Sequence, residues 1–279
     1  MILSDTICRL GEGPLWHPEE GALYWFDILG KKLFRHDGQR QRHWTFDEHV
    51  SAAGWLAEGR LLIASESRLF TFDTVTEAEE EVIPLEADRP EMRSNDGRAD
   101  PWGGFWIGTM RKDETGAEGR IYRYYQGALT VLYEGLRIPN AIAFAPGGAY
   151  AYFTDTPSRK ILRVTLDADG WPAAEPELFV DLGPEGLNPD GAVVDAQGNL
   201  WNAQWGAGRV ACYAPDGRFM TAIGLAAGQV SCPAFGGPGL ATLYVTSAAK
   251  DAPEDDQLAG MTFNVPTGFK GQEAHRVRL

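Results

Sequence analysis

The chain has 279 residues, 44% hydrophobic and 23% charged, so it can bury the core of a globular protein. Its 39 acidic residues exceed its 25 basic ones, and the net charge of −14 disfavours binding to nucleic acid or to an anionic membrane. The three cysteines, Cys8, Cys212 and Cys232, form no CxxC pair and predict buried thiols rather than a disulfide scaffold.

The N-terminal segment carries Asp5, Arg9 and Glu12 and lacks the apolar run of a signal peptide. No stretch of the chain approaches the ~18 apolar residues of a membrane-spanning helix. These features predict a cytoplasmic protein that does not bind membranes.

A repeating unit of short strands and glycine turns runs along the whole chain. In the first copy, a strand begins near Gly13, a second covers Ala22–Asp27 and a third begins at Lys32. The copies are separated by 41, 43, 44, 50 and 41 residues when they are aligned on Gly13, Gly54, Gly97, Ala141, Gly191 and Cys232. A period of about 40–50 residues with several strands per copy is typical of β-propeller blades.

The sequence therefore predicts an all-β fold, a six-bladed β-propeller whose four-stranded antiparallel blades surround a central channel. A single domain is expected over residues 1–279. Leu129–Tyr133 and Glu177–Val180 are predicted to be outer strands, and the acidic stretch Thr76–Glu81 is predicted to be a solvated turn. Either Ile2-Leu3 or Val277–Leu279 is expected to complete a blade.

Polar residues open the innermost strands of several copies. Glu12, Asn140 and Asp190 occupy the same place in their repeats, and Asn95-Asp96 opens another copy. Oxygen donors that converge from different blades would bind a hard divalent cation, and carboxylates crowded into one channel mouth repel each other without one. Each Asn or Asp taken alone is also compatible with the capping of a turn.

The ordered motifs resemble those of the senescence marker protein/gluconolactonase/luciferin-regenerating-enzyme family. The resemblance extends from Leu10 to Gly260. It rests on Glu12–Trp16, Arg93–Arg98, Gly108–Met110, Pro139-Asn140, Pro189–Gly191, Ser231–Gly237 and Leu243–Ser247. It implies a six-bladed propeller with one divalent metal ion in its channel, either Ca²⁺, Zn²⁺, Mg²⁺ or Mn²⁺, and hydrolysis of a sugar-derived lactone.

The resemblance also implies roles for individual residues. Glu12, Asn140 and Asp190 match the metal ligands of the family, whereas Arg93 and Asn95 match its substrate-contacting residues. A further glutamate of some members has no clear counterpart, and Glu118 is only a candidate for it.

In the implied reaction, the metal polarises the lactone carbonyl and either Asp190 or a metal-bound hydroxide activates the attacking water. We expect a monomer or a weak homodimer that acts on an aldonolactone such as glucono-, galactono-, arabinono- or xylonolactone. Two alternatives stay open at this point. One is a hydrolase of another ester, such as an organophosphate or aryl ester, and the other is a non-catalytic calcium-binding regulatory propeller.

Overall fold

The structure, a computed structural model, describes residues Met1–Leu279 and is almost entirely β-strand. Its 24 strands have an average of about six residues and are joined by short turns. In chain order they are β1 (Ile2–Ser4), β2 (Gly11–His17), β3 (Ala22–Asp27), β4 (Lys32–His36), β5 (Gln41–Thr45), β6 (Val50–Ala57), β7 (Arg60–Ser65), β8 (Arg68–Asp73), β9 (Glu79–Pro84), β10 (Met92–Ala99), β11 (Phe105–Arg111), β12 (Gly119–Tyr125), β13 (Ala128–Leu136), β14 (Pro139–Phe144), β15 (Tyr150–Asp155), β16 (Lys160–Thr165), β17 (Glu177–Asp181), β18 (Asn188–Val194), β19 (Leu200–Trp205), β20 (Arg209–Tyr213), β21 (Phe219–Gly224), β22 (Val230–Gly236), β23 (Thr242–Ser247) and β24 (Thr262–Pro266).

The strands form six four-stranded antiparallel sheets, which are the blades of a six-bladed β-propeller. Blades 1 to 5 use consecutive strands, β2–β5, β6–β9, β10–β13, β14–β17 and β18–β21. Blade 6 has the order β1-β24-β23-β22, so the N-terminal strand completes it as the outermost strand. The first strands of neighbouring blades contact each other around the ring, and β22 closes it against β2. The predicted fold is confirmed.

The core is divided among the interfaces between blades. Six hydrophobic clusters are present, and each joins side chains of two neighbouring blades. Trp25, Trp106 and Trp201, for example, are fully buried in three of these clusters. A single blade cannot bury both of its faces, which explains why the ring must close to be stable.

Two predicted strand features need correction or completion. The segment expected to be a turn, Thr76–Glu81, contains the start of β9, because Glu79, Glu80 and Glu81 pair with β8 as an exposed outer strand. The C-terminal residues do not add a strand to any blade. They cross the end of the channel, where Val277 donates a backbone hydrogen bond to Trp55 O at 3.0 Å.

Three short 3₁₀ turns, Pro146–Gly148, Thr156–Ser158 and Pro238–Leu240, are the only helical segments. None has the length or apolar composition needed to cross a membrane.

All three cysteines are buried free thiols, as the sequence predicts.

Candidate active site and metal centre

A cavity of about 370 Å³ opens at one end of the propeller channel. Five of the six predicted site residues line it, namely Glu12, Arg93, Asn95, Asn140 and Asp190. They come from four different blades, so residues that are far apart in sequence meet at a single site. Only four of the seventeen lining residues are hydrophobic, which makes this a polar site suited to a polar ligand.

An irregularity in each inner strand explains why polar side chains can point into the cavity. The β-ladder register shifts after Glu12 in β2 and after Asn140 in β14. The next residues, Gly13 and Ala141, adopt left-handed backbone conformations with φ of 54° and 58°. Such a bulge turns the strand and redirects the side chain beside it. Gly13 is also required for space, because a Cβ there would lie 2.3 Å from Ser51 O.

The structure corrects the prediction that Glu12, Asn140 and Asp190 occupy identical places in their repeats. Glu12 and Asn140 are the last paired residues before the shift, whereas in β18 that place belongs to Pro189. Asp190 lies one residue further along, inside the shifted segment. Asn95 has the equivalent position in β10. The three predicted ligands therefore converge from two different backbone positions.

Glu12 and Asp190 are buried carboxylates of the cavity, and burial and nearby negative charge disfavour the ionised form of each. Burial and the negative charge of Asp96 raise the pKa of Glu12 from 4.5 to about 8. Burial and the charges of Glu12 and Asp96 also raise the pKa of Asp190 well above its usual value. No cationic side chain forms an ion pair with Glu12 or Asp190. This combination of buried oxygen donors and uncompensated charge fits a divalent cation.

The side-chain amide of Asn140 is held in one orientation by hydrogen bonds on both sides. Its Oδ1 accepts a hydrogen bond from Asn95 Nδ2 at 2.8 Å, and its Nδ2 donates to Thr156 Oγ1 at 2.9 Å. Thr156 in turn donates to Pro189 O at 2.8 Å, so its hydroxyl is held as an acceptor for Asn140. The Asn140 carbonyl oxygen keeps a second lone pair for a cation. Outer contacts of this kind fix the direction of a metal ligand.

No group of three or more His, Cys, Asp or Glu side chains comes together as a metal cluster. The predicted set differs from such a cluster because only Glu12 and Asp190 are carboxylates and Asn140 supplies an amide oxygen. Two carboxylates with one amide oxygen are ligands that hard cations prefer. The residues present therefore fit a divalent ion, which Glu12, Asn140 and Asp190 would hold.

Arg93 and Asn95 form a connected pair beside this centre. Arg93 is 3% exposed, and its Nη1 donates to Asn95 Oδ1 at 2.7 Å and to Ser94 O at 2.9 Å. Burial lowers the pKa of Arg93, and the negative charge of Glu114 opposes this effect more than any other charge does. A guanidinium without a carboxylate partner keeps its other N–H donors available for a ligand.

The structure does not bring Glu118 into the cavity. Its side chain is 47% exposed, and its carboxylate lies 3.9 Å from Arg111 Nη1. Glu114, four residues earlier, lines the cavity instead and pairs with Lys250 at 3.0 Å. Both residues follow β11 in the same loop, and only Glu114 lines the cavity.

Sequence reasoning also missed several cavity residues that lie at strand ends or on the connections between strands. These are Arg137, Thr156, Arg159, Asn188, Trp205 and Lys250. None belongs to a recognisable motif. Only their positions at the ends of predicted strands, on the same side as Asn140 and Asp190, could have indicated them.

Comparison with known families agrees with this geometry. A family model described as the SMP-30/Gluconolactonase/LRE-like region matches residues 10–249. The chain belongs to this family. The match begins before Glu12 and ends within the Lys250 loop, so it contains nearly all the cavity residues.

Individual members of the SMP-30/gluconolactonase/LRE-like family resemble the chain over its full length. A protein of Rhizobium meliloti (strain 1021) is 40% identical over 285 residues, covering 99% of this chain and 96% of its own. The pentonolactonase XacC of Haloferax volcanii is 36% identical and covers 99% of this chain and 97% of its own. A solved structure of a calcium-binding protein, regucalcin, from Agrobacterium tumefaciens has a TM-score of 0.97 at 37% identity, covering 100% of this chain and 97% of that one.

Proposed function

We propose that the protein is a lactonase that hydrolyses a sugar-derived lactone, of the aldonolactone type, with the help of one divalent cation. The observation that supports this most directly is the convergence of Glu12, Asn140 and Asp190 with Arg93 and Asn95 in one polar cavity. Relatives with 34–36% identity over more than nine-tenths of the chain are named as sugar lactonases, which supports the same reaction class.

Glu12, Asn140 and Asp190 would hold the cation from one side of the cavity. When bound there, a divalent cation supplies positive charge that stabilises the negative charge developing on the lactone carbonyl oxygen. Asp96 has no direct contact with the cavity. Burial raises the pKa of Asp96. The negative charge of Asp96 also raises the pKa of Asp190, so a cationic occupant of the site would be favoured.

Asp190 is the proposed base. Its carboxylate accepts a proton as water adds to the carbonyl carbon, and the proton then passes to the ring oxygen when the carbon–oxygen bond breaks. The products are an open-chain hydroxyl and a carboxylic acid. No side-chain donor occupies the Asp190 carboxylate, so its oxygens are free to accept a proton from water in the cavity.

Arg93 and Asn95 are the proposed contacts to the sugar. Their mutual hydrogen bond fixes the guanidinium plane, so donors remain directed at hydroxyl groups or at the ring oxygen. Glu114 replaces Glu118 in this proposal as the acidic acceptor of a sugar hydroxyl, since it lines the cavity. A polar lining favours a sugar over an aryl ester, which would require an apolar wall.

A non-catalytic calcium-binding function is the second candidate, and the similarity to the structure named as a calcium-binding protein favours it. The calcium-binding function predicts metal binding without turnover, whereas the lactonase function predicts both metal binding and turnover. An assay that separates ion binding from turnover therefore decides between them.

The test is proton release from a panel of aldonolactones, with metal-stripped protein and added Ca²⁺, Mg²⁺, Mn²⁺ or Zn²⁺. We expect metal-dependent hydrolysis above the spontaneous rate. Asp190→Ala should abolish it, while Asp169→Ala, in an exposed turn of blade 4, should retain it. Tight metal binding without hydrolysis of any lactone, or full turnover by Asp190→Ala, would contradict the proposal.

A further inference from the structure

The cavity carries more cationic side chains than the proposed reaction requires. Beyond Glu12 and Asp190, its charged lining residues are the cations Arg93, Arg137, Arg159 and Lys250 and the anions Glu114 and Asp251. Glu12 and Asp190 would face the divalent cation of the proposed site, and apart from these two the lining has four cations and two anions, in a protein whose net charge is −14. Cationic side chains that face a cleft select and concentrate an anionic ligand.

Lys250 does not contribute to this excess because its charge is already compensated. Its ammonium lies 3.0 Å from Glu114 and 2.6 Å from Asp251. Glu114 and Asp251 are therefore both paired with Lys250. The three arginines remain without a carboxylate within 4 Å.

Arg137 is held in place by a contact that leaves its outer nitrogens free. It lies in the connection between β13 and β14, and its Nε donates to the backbone oxygen of Glu114 at 2.6 Å. Its Nη1 and Nη2 groups have no partner in the protein. The guanidinium is therefore held through one N–H, while the planar pair of donors at its tip is available to a ligand.

Arg159, which lies between β15 and β16 of blade 4, is held in the same way. It follows the 3₁₀ turn Thr156–Ser158, and its Nε donates to Asn188 Oδ1 at 3.2 Å. Again no protein group accepts from its Nη1 or Nη2. Both Arg137 and Arg159 are exposed, whereas Glu12 and Asp190 are buried, so the two arginines lie nearer the solvent than the metal centre.

We propose that Arg137 and Arg159 form a subsite for an anionic group at the end of the substrate remote from its lactone carbonyl. The substrate class is then a sugar lactone with a second acidic group, such as the free carboxylate of a sugar diacid or a terminal sulfonate. A neutral lactone needs only hydrogen-bond partners, which Arg93 and Asn95 already provide. Two oriented guanidinium groups match a carboxylate or sulfonate, each of which can accept paired N–H donors. This assignment rests on the proposed lactonase function.

The experiment compares gluconolactone and a glucaric acid lactone of the same ring size, which differ at one end by a hydroxymethyl or a carboxylate group. A lactone with a terminal sulfonate is the third substrate and shows whether the subsite distinguishes the two acids. Each is assayed at low and high NaCl with the metal-loaded protein, its Arg137→Gln and Arg159→Gln variants, and the double variant. Arg218→Gln is the matched control, because Arg218 is exposed, lies outside the cavity and has no carboxylate partner.

We expect the protein to prefer the acidic lactones over gluconolactone in kcat/KM. Each arginine substitution should lower this preference by about tenfold to a hundredfold, the effect expected from losing a charge-assisted hydrogen bond. The loss should lie mainly in KM. In the unsubstituted protein, KM for acidic lactones should rise with salt, because ions screen exposed charges. Arg218→Gln should leave the preference unchanged.

The outcomes separate this subsite from the lactonase function. Hydrolysis of gluconolactone at a kcat/KM equal to or above that of every acidic lactone would overturn the anionic subsite and leave the lactonase intact. If no lactone were hydrolysed, the lactonase function would fail, and binding of the open-chain diacid by calorimetry would still test the subsite. Equal affinity of the diacid for the protein and the double variant would overturn it, and a tenfold loss would support it.

Discussion

Asn95 donates a hydrogen bond from its Nδ2 to Asn140 Oδ1 at 2.8 Å, although the two residues lie on the inner strands of neighbouring blades. The same Asn95 accepts from Arg93 at 2.7 Å through its Oδ1. One amide therefore connects the proposed sugar contact with the proposed metal ligand. If the proposed roles hold, Asn95 would couple the binding of the substrate to the binding of the cation.

Substitution of Asn95 with Ala is expected to weaken metal binding by roughly tenfold to a hundredfold, the usual effect of losing an outer contact to a metal ligand. Thr156→Val should act in the same direction, since Thr156 accepts from the other side of the Asn140 amide. Calorimetric titration with the active cation measures both effects. Asn264→Ala, in blade 6 and away from the cavity, is the control, and unchanged affinity in the Asn95 variant would show that Asn140 needs no such support.

Metal-free protein should become less stable as the pH rises from about 5 to 8. The pKa of Glu12 is about 8 in the folded state against 4.5 as its ordinary value, so within this range the folded protein keeps a proton that the unfolded chain has lost. The state that binds more protons is favoured at lower pH. The free energy of unfolding contributed by Glu12 therefore decreases with rising pH until about pH 8 and then levels off.

Glu12→Gln removes this titration while keeping the shape of the side chain. We expect its metal-free form to unfold several degrees higher than the unsubstituted protein at pH 8, with a smaller difference at pH 5. Thermal unfolding of chelator-treated protein followed by circular dichroism measures this. Asp190 keeps its own raised pKa in the variant, so the pH dependence should become weaker without vanishing. Identical pH dependence in both proteins would contradict the assigned cause.

The sequence predicts the ring of blades well because the repeat combines glycine turns with apolar strands that must be buried between blades. It misses the start of β9 for a physical reason. Glu79, Glu80 and Glu81 lie in an outermost strand whose side chains are exposed, so no apolar alternation marks it. Charged residues on such a strand also keep its free edge from pairing with another chain. An exposed outer strand made of glutamates therefore cannot be told from a solvated turn by its sequence.

The candidate site is predicted less completely than the fold. Glu12, Asn140 and Asp190 were found because each opens a repeat, but the one-residue offset of Asp190 depends on a bulge that has no sequence signature. Arg137 and Arg159 were missed because they lie on connections outside the repeat. Loops carry the residues that vary with the ligand, whereas strands carry those common to the fold.

The C-terminal segment should stabilise the ring from the end of the channel opposite the cavity. Val277 is 2% exposed and packs in the cluster between blades 2 and 3, beside Gly54. Val277→Ala should lower the free energy of unfolding by about 1–3 kcal/mol, as expected for a buried aliphatic side chain. Denaturant unfolding of metal-loaded protein measures it.

Leu279 provides the matched control for Val277, because it lies two residues further along and is 56% exposed. Leu279→Ala should change the free energy of unfolding by less than ~0.5 kcal/mol. Equal effects of the two substitutions would mean that the C-terminal segment does not pack against the blades.

Glu114 and Glu118 allow a direct comparison within one loop. Glu114 lines the cavity and its charge acts on the buried Arg93, whereas Glu118 is 47% exposed and lies near Arg111. Glu114→Gln should raise KM for a neutral aldonolactone by roughly threefold to tenfold, since an amide accepts hydrogen bonds from sugar hydroxyls less strongly than a carboxylate does. Glu118→Gln should change KM by less than about twofold, because exposed ion pairs contribute little. Initial-rate kinetics on the metal-loaded variants measures both. A larger effect at Glu118 than at Glu114 would mean that the sugar extends over the outer part of the loop, and the residue first selected from the sequence would then be the substrate contact.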